Sequence, residues 1–246
     1  MTVRTVATQP FRDQEPGTSG LRKKTRVFMQ PNYLENFVQA IFTATGGGAG
    51  KTFVIGGDGR YFNAEAIQTI IKIAAANGTA KVIVGKDGIL STPAASHLIR
   101  KNRTDGGFIL SASHNPGGID EDFGVKFNAS NGGPAPESLT YRMFDATKAI
   151  ESYAIAEFED VNLGHVGTAA RGDLVIATVD PVEDYLALME RLFDLDAIRA
   201  LFASGFTMRF DAMHAVTGPY AHAIFEDRLG APEGTVINGV PKVDFG

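Results

Sequence analysis

The sequence predicts an α/β fold: a three-layer αβα domain around a mixed, mostly parallel sheet, followed by part of a second, similar α/β unit. Two observations carry this. Short unbroken apolar runs recur, K-T-F-V-I-G at 51–56, A-K-V-I-V-G at 80–85 and G-F-I-L-S at 107–111, and such runs suit strands buried on both faces. Segments with apolar residues at helical spacing separate them, so the order is strand, helix, strand, helix, strand, the pattern of parallel βαβ units.

Taken in order, the first 26 residues are polar and hold a Gly-Thr-Ser-Gly turn, and they read as an extended arm with a loop. Residues 32–43 carry Tyr33, Leu34, Phe37, Val38, Ile41 and Phe42, one face of an amphipathic helix, and the glycines of 46–50 end it. The first apolar run is the first buried strand. Residues 63–77 form the second helix, stopped by Gly78, and 80–85 the second strand. Pro93 opens a helix to Lys101 with Ser91 or Thr92 as its cap, and 107–111 is the third strand. Residues 124–128 alternate like a strand, 137–150 are helical, and 174–179 form a further strand. From Asp180 a new unit begins: helices to about Phe193 and Ala203, a strand at 206–210, a helix at 217–229 and a strand at 235–238. The expected division is therefore 1–179 and 180–246. The chain reaches Gly246 with no closing element after the last strand, which reads as a truncated second domain.

Composition bounds the function. With 44% apolar and 21% charged residues among 246, the chain has the balance of an ordinary globular protein. The net charge of −5 and the lack of a basic stripe argue against nucleic acid as a partner. A small anionic substrate is still compatible, because a pocket can be positive on an acidic surface. There is no cysteine, so disulfides and thiol catalysis are excluded. The N-terminus has no apolar signal region and no run of apolar residues is long enough to span a membrane, so a cytoplasmic protein without membrane contact is the expectation. Asn77, Asn102 and Asn128 open N-x-[ST] triplets, chance matches without a secretory route.

Ligands of parallel sheets bind beyond the carboxyl ends of the strands, which draws attention to S-A-S-H-N-P-G-G at 111–118. Ser113 and His114 lie there on a tight Asn-Pro-Gly-Gly turn. A nucleophile on such a turn has little freedom, which favours in-line attack; the plainer reading is that Ser, His, Asn, Pro and Gly are turn formers. G-T-S-G-L-R at 17–22 offers Thr18, Ser19 and the guanidinium of Arg22 to a phosphate, or is a surface turn. Lys126 sits in an apolar strand, where desolvation would lower its pKa and suit it as a base, unless it faces solvent from an edge. T-G-G-G-A-G-K-T at 45–52 imitates a nucleotide-binding P-loop, but Thr45 stands where Gly belongs and helix precedes strand, the reverse of the required order. Gly57-Asp58-Gly59 fails as a dinucleotide motif because Phe62 replaces the third Gly; Arg60 there reads as structural or as part of a site's rim. Asp211 and His214 read as structural at the domain junction, His97, His165 and His222 show no metal-ligand spacing, and Asp120-Glu121-Asp122 is either a solvated run or a lure for magnesium.

The motifs G-T-S-G-L-R, G-G-D-G-R-Y-F, L-S-T-P-A, S-A-S-H-N-P-G-G and F-G-V-K-F-N-A-S-N-G-G-P follow one another in this order, and together they resemble the α-D-phosphohexomutases. F-D-A-M-H-A-V-T-G-P-Y at 210–220 and L-G-A-P at 229–232 resemble the phosphoglucomutase branch. The likeness runs from Pro16 to the last residue, and the serine loop is its most specific part. It implies that Ser113 is phosphorylated and that the enzyme interconverts glucose 1-phosphate and glucose 6-phosphate through glucose 1,6-bisphosphate. It also implies that Mg2+ binds the phosphoserine, that Lys126 is the general acid/base, that Arg22 and His114 lie beside the transferring group, and that Thr18 and Ser19 line the same site. Residues 1–179 would be the phosphoserine domain and 180–246 an incomplete second domain.

The family's magnesium loop, D-G-D-x-D-R, does not occur in these residues, nor do its sugar-reading and distal phosphate-binding loops. The expectation is that this length alone has little mutase activity. The alternatives are an inactive relative that binds without catalysis, or a phosphomannomutase or phosphoglucosamine mutase. Oligomeric state is not readable.

Overall fold

A computed structural model describes residues 1–17 and 19–246; the expected phosphate ligand Thr18 lies outside the described residues. The three apolar runs are strands, as expected. In order the elements are β1 (Thr2–Ala7), β2 (Leu21–Lys24), α1 (Thr25–Phe28), α2 (Tyr33–Ala44), β3 (Thr52–Gly57), α3 (Asn63–Ala76), β4 (Lys81–Ile89), α4 (Thr92–Asn102), β5 (Gly106–Leu110), β6 (Asp122–Ala129), α5 (Glu137–Ala149), β7 (Ser152–Glu157), β8 (Gly167–Arg171), β9 (Leu174–Val179), α6 (Glu183–Leu192), α7 (Leu195–Ala203), β10 (Phe210–Asp211), α8 (Thr217–Ala221), continued as a π-helix over His222–Arg228, and β11 (Val236–Ile237).

The runs at the centres of β3, β4 and β5 are apolar because both faces of the sheet are covered there. Phe53 and Ile55 of β3, Val82 and Val84 of β4 and Phe108 and Leu110 of β5 pack into one core with α2, α3 and α5. The alternate residues Val54, Ile83 and Ile109 pack into a second core with α4. This is period-two alternation with two apolar faces, and it makes three layers. The seven-stranded sheet has the order β2-β6-β5-β3-β4-β9-β8. Its four middle strands, from β5 across to β9, are parallel, while β6 and β2 on one side and β8 on the other pair antiparallel.

All six apolar residues expected of the first helix are buried on α2. Ser91 is the cap of α4, accepting a hydrogen bond from the Ala94 amide at 3.3 Å; Thr92 is not the cap. Lys51, the P-loop lysine of the rejected motif, donates to the Thr45 carbonyl at 2.6 Å, so its charge serves the end of α2, where cations are favoured.

The structure departs from the expected elements at the edges. The N-terminal segment is not a plain arm: β1 pairs with β7 in a separate antiparallel ribbon, and β2 is the edge of the main sheet. The strands β7 and β8 were not expected, and both are half exposed. Strands expected at 206–210 and 235–238 shrink to the two-residue β10 and β11, which pair only with each other, because no further strand flanks them among the described residues. The last helix turns into a π-helix at His222. Among the described residues no helix is long and apolar enough to cross a membrane.

Candidate active site

The serine loop leaves β5 at Leu110 and returns in β6. Ser111 is still in register with the sheet, donating its amide to the Gly124 carbonyl at 2.9 Å. Ser113 has a φ of +60°, a left-handed conformation that side-chain-bearing residues avoid. The Ser113 and His114 side chains are exposed and border a cavity of about 440 Å³. Asp58, Thr92 and Ser111 line it together with Met213, Val216 and Phe245 of the later stretch.

Beneath the loop lies Arg60, whose side chain has no solvent exposure. Its Nε donates to both oxygens of Asp58 at 3.0 and 3.1 Å, and its Nη2 to Asp58 Oδ2 at 2.9 Å. The rest of the guanidinium reaches backbone carbonyls: Ser113 at 3.0 Å, Asn115 at 3.4 Å and Asp122 at 2.6 Å. Asp58 is itself fixed, its amide donating to the Leu110 carbonyl at 3.0 Å. Arg60 is therefore structural, as expected, but at the centre of the loop and not at a rim. The ring of Phe245 stacks 5.1 Å from its guanidinium carbon, within cation–π range.

The acidic run beside the loop is neither free nor merely solvated. Asp120 pairs with Arg26, Glu121 with Lys24, and Asp122 with Lys24 at 3.0 Å. Asp122 also accepts from the Asn115 side chain at 2.8 Å. Burial raises the Asp122 carboxyl, but the hydrogen bonds from Lys24 and Asn115 outweigh it and leave it below the ordinary value.

Lys126 stands opposite Ile109 in the β5–β6 ladder. Its strand neighbours Val125 and Phe127 join the first core, so alternation puts Lys126 on the other face, with Gly124 and with Arg22, which pairs opposite Gly124. Burial pushes its ammonium pKa down; Arg22 pushes the same way, Asp58 opposes, and Arg60 adds to the fall. Lys126 and Ser19 border a smaller cavity of about 150 Å³. Thr92, at the start of α4, borders both this cavity and that of Ser113. The turn carrying Ser19 is closed by reciprocal Gly17–Gly20 backbone bonds at 3.1 and 3.0 Å. Gly20 has a φ of +84°, and an added Cβ would lie 2.4 Å from the Val125 carbonyl and 2.8 Å from the Lys126 Cα. Only glycine lets this turn rest against the lysine. The Arg22 Nε is buried and has no hydrogen-bond partner among the described residues.

The sequence-selected residues thus fall into two adjoining groups, Ser113 with His114 and Lys126 with Ser19, with Arg22 on the Lys126 face of the sheet. Ser111 and Thr92 were not singled out for the site. Arg60 carried a signal, a charge two residues after an acid between a strand and a helix, but its carbonyl acceptors in the serine loop lie more than 50 residues away. Asp211 accepts from the Met213 amide and the Asn238 side chain, and His214 bonds the Val240 carbonyl at 2.9 Å, structural roles as read from sequence.

The described residues do not by themselves complete a magnesium site. Divalent magnesium wants several oxygen donors in near-octahedral geometry. No group of three His, Asp or Glu side chains that could hold a metal occurs among the described residues. Of the two carboxylates bordering the serine cavity, Asp58 is engaged by Arg60 and Asp244 accepts from the Gly246 amide at 2.9 Å.

Residues 13–154 match the family described as phosphoglucomutase/phosphomannomutase, alpha/beta/alpha domain I. A phosphoglucomutase of Rhizobium radiobacter is 57% identical over 244 residues, covering 99% of this chain and 45% of the relative. A chloroplastic phosphoglucomutase of Arabidopsis thaliana is 53% identical over 247 residues, covering 99% of this chain and 40% of the relative. The solved open form of the exocytosis-sensitive phosphoprotein parafusin, a phosphoglucomutase from Paramecium, superposes with a TM-score of 0.95 at 45% identity, over 99% of this chain and 46% of that one. A putative phosphomannomutase from Thermus thermophilus shares the fold, with a TM-score of 0.68 at 23% identity, over 98% of this chain and 48% of that one. The chain spans less than half the length of the relatives it matches. By motif, architecture and family match, this chain belongs to the phosphoglucomutase/phosphomannomutase family.

Proposed function

We propose that this chain carries the phosphoserine side of a phosphoglucomutase site, acting on glucose 1-phosphate and glucose 6-phosphate, with Ser113 as the phosphoryl carrier. The observation that supports this most is the backbone of Ser113: a left-handed serine, exposed at the carboxyl end of β5, beside a cavity. Strained backbone at such a place is worth its cost where it aims a reactive atom.

In this reading a sugar hydroxyl attacks the phosphorus on Ser113. The new O–P bond forms as the Ser113 Oγ–P bond breaks. Lys126, whose lowered pKa makes its neutral amine easier to reach than that of an ordinary lysine, takes the hydroxyl proton as the bond forms. The serine oxygen leaves and takes up that proton from Lys126, so the step is balanced and the lysine is restored. The sugar bisphosphate so formed gives back its other phosphate by the reverse step. Arg22 supplies positive charge and His114 hydrogen bonds to phosphoryl oxygens, and Ser19 lines the approach, since phosphoryl transfer is governed by positioning and charge neutralisation. Magnesium, when bound, would neutralise phosphoryl charge. A phosphorylated Ser113 would bring it oxygen ligands, and the others would come from outside the described residues. Residues 1–179 are read as one domain and 180–246 as part of a second; among the described residues the main sheet takes no strand after Val179, and the later strands pair apart from it, which supports that division.

The test is the intact mass of the chain, native and Ser113→Ala, after incubation with glucose 1,6-bisphosphate and magnesium, with the modified peptide sequenced. One phosphate on Ser113, absent from the variant, is expected. Phosphate on another residue, or none, overturns the assignment. Turnover of glucose 1-phosphate by the 246-residue chain alone is expected to be slight.

A further inference from the structure

The peptide of Ser113 is held by side chains from two directions. Neither its N–H nor its C=O takes part in a backbone–backbone hydrogen bond among the described residues. The N–H donates to Ser111 Oγ at 3.0 Å, and the C=O accepts from Arg60 Nη2 at 3.0 Å. A left-handed serine persists only where its surroundings over-determine it, and these two bonds are the groups that do so.

We propose that Arg60, together with Ser111, is a positioning residue for the phosphoryl-carrying serine: the two side chains clamp the Ser113 peptide and so set the direction of its Oγ. This rests on the reading of Ser113 as the phosphoryl carrier. The clamp is anchored at both ends. Asp58 holds the guanidinium in a fork and is tied to β5 through its own amide. The same guanidinium bonds carbonyls on both sides of the loop, Asn115 in the turn and Asp122 at the start of β6. The five N–H groups of arginine lie in one rigid plane, so fixing the guanidinium fixes the carbonyls relative to one another. Ser111 is fixed from the opposite side: an added Cβ on Gly124 would lie 2.5 Å from the Ser111 carbonyl, so the loop's entry is pressed on β6. With its backbone held, the exposed Ser113 side chain keeps a single free torsion. Lysine could replace the charge of Arg60 but offers three donors from one point and cannot serve Asp58 and three carbonyls together.

The test compares the full 246-residue chain with its Ser111→Ala, Ser111→Thr and Arg60→Lys variants, by amide hydrogen exchange and by the rate of Ser113 phosphorylation from glucose 1,6-bisphosphate. Exchange of the Ser113 amide is expected to rise roughly tenfold in Ser111→Ala, which removes its acceptor, and to rise also in Arg60→Lys, which frees the Ser113 carbonyl and loosens the turn, while amides of β3 and β4 keep their protection. The phosphorylation rate should fall about 100-fold, the effect of misplacing a reacting atom by about an ångström. Ser111→Thr, which keeps the oxygen, should restore both. A general rise in exchange across the sheet with no preference for the serine loop would mean that Arg60 only stabilises the fold, and would overturn the proposal. So would wild-type phosphorylation rates in Ser111→Ala, which also decides the matter if Arg60→Lys does not fold. Wild-type protein that takes up no phosphate overturns the reading of Ser113 itself, and the exchange comparison still decides whether the clamp exists.

Discussion

Replacing Asp58 by alanine should be among the most damaging single changes in the chain. The Arg60 side chain is 0% exposed and that of Asp58 10%, so this ion pair is not weakened by solvent as a surface pair is. In Asp58→Ala the guanidinium stays buried with a full charge, Nε has no acceptor, and only the three loop carbonyls still receive hydrogen bonds. Breaking a buried pair by removing one partner costs about 3–5 kcal/mol. The carbonyls that remain as acceptors place this case toward the lower end, at about 3 kcal/mol. In the double variant Asp58→Ala/Arg60→Met no buried charge is left, and only the carbonyls lose their donors. The two single losses should therefore not add: the double variant should be at least about 2 kcal/mol more stable than their sum. The assay is urea unfolding of the four proteins, followed by far-ultraviolet circular dichroism and by tyrosine fluorescence, whose coincidence tests two-state behaviour. The midpoint should fall with the slope unchanged. A loss below about 1 kcal/mol in Asp58→Ala, or additive single losses, would refute the reasoning that an uncompensated charge is what destabilises the variant.

Two further outcomes follow from the same site. Because Lys126 has a lowered pKa in the folded chain, the folded state binds fewer protons than the unfolded one between the two values, so stability rises with pH across that window. Lys126→Met should thus be more stable than wild type at neutral pH, by a margin that shrinks as the pH climbs to the ordinary lysine range; a margin independent of pH would contradict it. Ser113 at a φ of +60° carries a left-handed penalty that glycine does not, so Ser113→Gly should be about 1 kcal/mol more stable than Ser113→Ala by urea unfolding, and equal stabilities would mean that the left-handed backbone is not kept in solution.

The parts of the fold that were legible are those whose pattern is local. Phe53-Val54-Ile55, Val82-Ile83-Val84 and Phe108-Ile109-Leu110 are buried on both faces, so each reads as an unbroken apolar run. The α2 stripe from Tyr33 to Phe42 reads from its period alone. β7 and β8 escaped because they are half exposed, and S-Y-A-I-A-E and G-T-A-A-R carry no run or clean alternation. Each is a strand because a partner lies beside it, β1 for the one and β9 for the other. The same holds for β2, four residues that become a strand only against β6.

For the site, residue order alone determined the chemistry on offer. The Ser-His pair on a turn after a buried strand, the lysine in an apolar strand and the Gly-bounded Thr-Ser-Arg loop are local patterns in the sequence. Three things belonged to tertiary structure. The direction of the Lys126 shift depends on burial and on Arg22, Asp58 and Arg60, all distant in sequence. The engagement of Asp120, Glu121 and Asp122 depends on Lys24 and Arg26, which β2 and α1 bring alongside. The hold of Arg60 on Ser113 and Asp122 joins residues 53 and 62 positions apart. Hydrophobic periodicity is written in neighbouring residues because burial acts on each side chain separately. Hydrogen bonds and pKa shifts need a partner within a few ångströms, and only the folded chain decides which partner that is.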